Sequence, residues 1–229
     1  IIEKIKKAGR YFLNSKDITC GIDVHQDFVT AGHLEKLKRT NAKKGDGIFV
    51  VSENERKSVA KTQVEKDILK PYFTTRELRP YVGRSDNSHW VIYSDKHVVA
   101  AIKKYPNIKA HLDKLSPVIT TDSAPYGLHR ARKEDFFLGE KIISLRKTMI
   151  PHFSLVNFPC YVSQSFFVIK TKALDQKYLA GFLNSRLCHF WLAKKGKMQG
   201  EALQVDKAPL LEIPIVNDAD GKNKESMKG

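Results

Sequence analysis

An α/β (α+β) fold is predicted for this chain, with a twisted, mostly antiparallel β core, helices packed on one side and a long C-terminal helix as a strut. Three features of the sequence predict it. Short β-branched and aromatic runs recur between turn signals, most densely over residues 118–170. Stretches with apolar residues at helical spacing lie between and after those runs. The chain has 229 residues, of which 41% are hydrophobic and 10% aromatic, enough for a sizeable core.

Taken in order, residues 1–17 open in mid-pattern without Met and are expected to be a linker or the end of a preceding domain, and the chain is expected to be a fragment. Residues 19–24 and 47–51 suit short strands, joined by a Lys-rich polar connection with helical character at residues 33–38. A helix over residues 58–70 is expected to end at Pro71. Residues 90–93 (Trp-Val-Ile-Tyr) form the next strand. Asp95 then caps a helix bearing Val98, Val99 and Ile102, and Pro106 opens another with Ile108, Leu112 and Leu115 on one face.

Residues 139–147 and 160–169 read as the central strands, and the loop at residues 123–133 contains Pro125 and Gly127, which break regular structure. Phe136 and Phe137 beside it are expected to anchor in the core. Asp175 caps a single helix to Lys195 through Leu179, Phe182, Leu183, Leu187, Phe190 and Trp191, with Gly196 as its left-handed cap. A strand follows at residues 210–215, edge-placed because of Pro214. The domain is therefore drawn over residues 18–216, and residues 217–229 are expected to be a disordered polar tail.

Lys and Arg number 40 against 25 Asp and Glu, a formal net charge of +15. Such an excess points to a polyanionic partner. The basic loop residues His129, Arg130, Arg132 and Lys133 are candidates for base edges, because a guanidinium bonds guanine bidentately in the major groove. Arg76, Arg79, Arg84, Lys43 and Lys44 sit beside turn signals and suit phosphates, while Gln199 and Gln204 suit adenine. Lys194, Lys195 and Lys197 complement a helix C-terminus. Cys20, Cys160 and Cys188 lack metal-ligand spacing, as do the scattered histidines, so neither a metal nor a bound cofactor is expected in this chain. No run reaches the ~18 apolar residues of a spanning helix, and a cytoplasmic location is expected.

Residues 47–50 (Gly-Ile-Phe-Val), the Leu69-Lys-Pro-Tyr and Arg79-Pro-Tyr segments, the strands at 90–93 and 139–147, and above all Tyr178-Leu-Ala-Gly-Phe-Leu-Asn-Ser-Arg186 followed by residues 210–215 resemble the TaqI-like C-terminal specificity domain. That family provides target recognition in DNA adenine methyltransferases and single-chain (type IIG) restriction-modification enzymes, and is similar to recognition domains of type I specificity subunits. The resemblance implies a prokaryotic, non-catalytic module that reads duplex DNA. It also implies an N-terminal methyltransferase domain outside this chain as the holder of S-adenosylmethionine. Two rivals follow from the residues: a metal-dependent nuclease using Asp122, Glu134, Asp135 and Glu140, or a structural RNA-binding module.

Overall fold

The computed structural model describes residues 1–216; the tail from residue 217, expected to be disordered, lies outside the described residues. Helix α1 (Ile2–Ala8) leads through a capped turn to strand β1 (Ile18–Cys20). Helix α2 (Ala31–Leu34) precedes β2 (Val50–Ser52). Next come α3 (Glu53–Val59), α4 (Gln63–Asp67), β3 (Leu69–Phe73), β4 (Tyr81–Val82) and β5 (His89–Ile92).

The single helix expected over residues 58–70 is replaced by α3, α4 and the start of β3. Ser52 and Thr62 each accept from the backbone N–H three residues on, and Glu55 and Glu65 return the bond, so two capping boxes start two short helices. Pro71 lies within β3, one residue before pairing with a further strand begins at Tyr72, where a missing donor is tolerated.

Helices α5 (Lys96–Ala100) and α6 (Pro106–Leu115) begin at Asp95 and Pro106 as the sequence predicts, Asp95 accepting from the N–H of His97 and Val98. The central run comprises β6 (Lys141–Leu145), β7 (Lys147–Thr148), β8 (Phe153–Val156), β9 (Tyr161–Val162) and β10 (Phe166–Ile169). Both expected central strands are thus split. Each changes sheet at its break: β6 and β10 pair with each other, whereas β7 and β9 belong to two other sheets.

The C-terminal region holds α7 (Gln176–Leu183), α8 (Arg186–Lys195), β11 (Lys197–Gln199), β12 (Ala202–Gln204) and α9 (Lys207–Glu212). Three expectations fail here. The long helix is broken at Asn184, whose side-chain amide donates to Phe153 O at 2.7 Å and accepts from Phe153 N at 3.1 Å, while Ser185 caps α8 through the N–H of Cys188. The Asn side chain therefore takes the place of a neighbouring strand at the start of β8. Of residues 210–215, expected as a strand, the first three end α9, and only Ile215 bridges to another segment, at Tyr11. Pro209 O receives the buried Trp191 indole N–H at 3.0 Å, which fixes α9 against α8. Gly196 is extended (φ −85°, ψ −171°), and its role is close approach: a Cβ there would stand 2.5 Å from Leu192 O.

A five-stranded sheet in the order β1-β10-β6-β8-β4 forms the middle layer. Its pairs are antiparallel except β4 with β8. Alternation gives it two buried faces. Ile142, Phe153, Phe167 and Ile169 face one core with Leu179, Leu183, Trp191 and Leu210 of the C-terminal helices. Ile143, Val156, Phe166 and Val168 face a second core shared with the sheet β2-β5-β3-β9 and with Ile108 and Leu112 of α6. The C-terminal helices thus cover one side of the middle sheet, as the α/β prediction has it. Ile5 and Leu13, N-terminal to the boundary drawn at residue 18, are buried in the first of these cores.

Glu65 ties the second core together. Its carboxylate, fully buried, accepts from the N–H groups of Lys61 and Thr62 and from the backbone and side chain of Asn107, at 2.7–3.1 Å. Burial alone would raise this carboxyl, but the hydrogen bonds outweigh it and hold it at about 2.

Candidate nucleic-acid interface

The expected basic loop is tied down along its length. Thr121 Oγ1 donates to Gly127 O at 2.7 Å, Tyr126 OH donates to Asp113 at 2.6 Å, and Leu128 N donates to Ser94 O. Arg130 and Asp23 exchange both backbone hydrogen bonds. Arg132 has φ +67°, donates from Nε to Gly21 O at 3.3 Å, and its carbonyl accepts from Tyr93 OH. His129 lies between Asp122 at 3.4 Å and Asp23 at 3.9 Å, with its ring 5.3 Å from that of His25. Of the four basic residues, Arg130 and Lys133 are exposed, whereas His129 and Arg132 are partly buried. Phe137 is buried and stacks on Tyr161, as the anchoring role requires.

Arg76, Arg79 and Arg84 come together on one turn between β3 and β5. Thr74 and Glu77 close its start, a Leu78–Gly83 bridge closes its middle, and Arg84 pairs with Asp86. All three arginines are exposed. Lys43 and Lys44 occupy a turn whose Gly45 and Asp46 bond the backbone of Val29 at 2.8 Å, which sets that turn against residues 27–29.

Sequence reasoning missed the place where strand ends converge. Arg146 lies between β6 and β7, and its backbone joins two sheets: its N–H donates to Ser165 O, and its carbonyl accepts from Val205 N. Its guanidinium lies 4.9 Å from the Phe167 ring centroid and donates from Nη1 to Gln164 O. The Nε of Arg146 is buried without a hydrogen-bond acceptor. With Lys147, Gln164 and Gln204, Arg146 lines a polar hollow of about 360 Å³. Gln204 pairs in register with Lys147 and bonds Asp206 at 2.9 Å. Gln199 lies on β11 opposite Ala202, and its side chain is outside what the structure describes.

This hollow joins, through Leu145 and Ser165, a second recess of about 410 Å³ reached from the ends of β3, β5 and β10. Guanidinium, ammonium and two carboxamides on strand ends are the groups that bond base edges and phosphates. No single stretch of sequence marks the set, because it comes from segments at 146–147, 164 and 204.

The carboxylates weighed for metal chemistry are dispersed into other work. Glu134 accepts from Tyr161 and pairs with Lys70, Asp135 pairs with Lys170, and Asp122 faces His129. Cys160 and Cys188 are buried thiols, each pushed by burial up to about 12. Among the described residues no helix is long and apolar enough to cross a membrane.

No protein-family model matches the chain, and no curated protein sequence matches it. Among solved structures, the fold is similar to part of a restriction-modification enzyme. The enzyme is MmeI, of type IIL, solved in complex with DNA; it is 14% identical, with a TM-score of 0.58 over 90% of this chain and 25% of its own. The chain thus spans about a quarter of that enzyme's length, and the likeness is one of fold.

Proposed function

We propose that this chain is the sequence-specific duplex-DNA recognition module of a restriction-modification enzyme or DNA adenine methyltransferase, of the TaqI-like specificity type. It is the non-catalytic part. Methyl transfer, with S-adenosylmethionine, belongs to a separate N-terminal domain in this reading. The observation that carries it is the convergence of Arg146, Lys147, Gln164 and Gln204 on adjoining strand ends. The exposed cations Lys43, Lys44, Arg76, Arg79, Arg84, Arg130 and Lys133 stand on the turns of the same chain. A fold shared with an enzyme solved on DNA, and a net charge of +15, support the same reading.

In this mechanism the turn cations neutralise phosphates and release counterions, which fixes the protein on the duplex without reading sequence. Arg146 reads guanine and the glutamines read adenine in the major groove, with the loop at residues 124–133 entering beside them. The orientation so fixed presents a base to the catalytic domain for flipping. Selection from a randomised duplex library at two salt concentrations tests the reading. An enriched motif whose affinity falls with salt is expected, and binding without any motif would reduce the surface to phosphate contact.

A further inference from the structure

The larger recess lies beside the polar hollow and differs from it in chemistry. Phe28, Phe73 and Phe166 are among its lining residues, with His89 set edge-on to Phe28 at 5.7 Å. A recess lined by aromatic side chains suits a flat ring system. The polar groups gather on one side. Asp27 is only partly exposed, and its carboxyl is raised by burial and by the charge of Asp23. Tyr72 lies behind it, 4% exposed; its hydroxyl, beside Ser163 and Asp27, makes no hydrogen bond of ordinary geometry. A buried phenol in that condition is a polar group whose partner is missing. At about 410 Å³ the recess falls within the ~300–1,000 Å³ usual for small-molecule sites.

Cations surround this recess and are not among its lining residues. Arg76 follows the rim residue Thr75, the Lys43–Lys44 turn lies against residues 27–29, and Arg146 and Lys147 line the adjoining hollow. An apolar slot with a hydrogen-bonding edge, ringed by positive charge, matches a base inside and its phosphates outside. A free carboxylate would not be welcome beside Asp27, whereas an exocyclic amino group is what an Asp side chain accepts from.

Resting on the duplex-DNA reading above, we propose that the Phe28–Phe73–Phe166 recess is a pocket for one unstacked nucleobase of the bound DNA, bearing an exocyclic amino group that Asp27 receives. Such a pocket offsets part of the unstacking cost and would hold the duplex open at one position.

Three ligands distinguish the outcomes: a matched duplex carrying the selected motif, the same duplex with one bulged adenine, and free adenosine monophosphate. The bulged duplex should bind about tenfold or more tightly than the matched one, because its base is already unstacked. Thr75→Trp, at an exposed rim position, fills the mouth and should erase that preference without abolishing binding of the matched duplex; Asp27→Ala should lower it for adenine and leave a bulged thymine unaffected. Equal binding of bulged and matched duplexes overturns the pocket and leaves the groove-reading function standing. Saturable binding of the mononucleotide with no preference for a bulge overturns the extrahelical base in favour of a free nucleotide. Failure to bind any duplex overturns the DNA reading and this proposal with it.

Discussion

The loop at residues 123–133 and the strand ends around Arg146 carry similar side chains on opposite terms. In the loop, basic side chains are dense in sequence, yet two of the four are engaged internally: Arg132 bonds Gly21, and His129 sits between two carboxylates. At the strand ends the charge is sparse in sequence, and two sheets aim it into one hollow beside an aromatic recess. The comparison teaches that density of charge along a chain is a poor guide to recognition. Base readout needs a fixed direction for each polar group, and a strand end held on both sides supplies that better than a loop.

The largest effect should come from the scaffold that both regions share. Glu65→Ala removes a buried carboxylate with five hydrogen bonds and leaves their donors unpaired, so it should cost about 3 kcal/mol of stability, read by denaturant melts. Binding through both regions should fall together. The pH dependence follows from the sign of the shift. Glu65 is held at about 2, below its ordinary 4.5, so its contribution is complete above pH 4.5 and is lost as pH falls toward 2. A wild-type melting temperature that drops through that window, and a smaller drop in Glu65→Gln, are expected.

Next in size is Arg146→Ala. Loss of a directed guanidinium should cost about 2 kcal/mol of affinity for the selected motif and relax preference at one base pair, with little change on random duplex. An equal loss on every sequence would make Arg146 a phosphate contact and break the contrast between the two regions. Smaller again is the double change Arg130→Ala with Lys133→Ala. It should weaken binding uniformly and lower the salt dependence by about two counterions, leaving the motif intact. A blurred motif in that variant would return base readout to the loop.

Much of the fold is legible in local sequence. Asp95, Pro106 and Asp175 mark helix starts that the structure keeps, because a cap needs only its own first turn. The boxes Ser52 to Glu55 and Thr62 to Glu65 are equally local; reading that stretch backwards from Pro71 merges two helices and part of a strand. Other features depend on distant partners. The break at Asn184 is set by Phe153, and α9 by the packing of Pro209 on Trp191. For the interface, local signals reach the turn cations and Gln204. They miss Arg146 and Gln164, because sheet exchange at residues 145–147 and 162–166 brings those segments together only in three dimensions.

The amide of Asn184 also has a mechanical meaning. Seated on Phe153 like a one-residue strand, it makes the junction of α7 and α8 a fulcrum on β8. Phe153 pairs with Ser144, and Arg146 stands two residues further along the chain. A load on the outer face of α8, where Leu187 is exposed, thus has a short route through Asn184 and Phe153 toward the junction of β6 and β7 that carries Arg146.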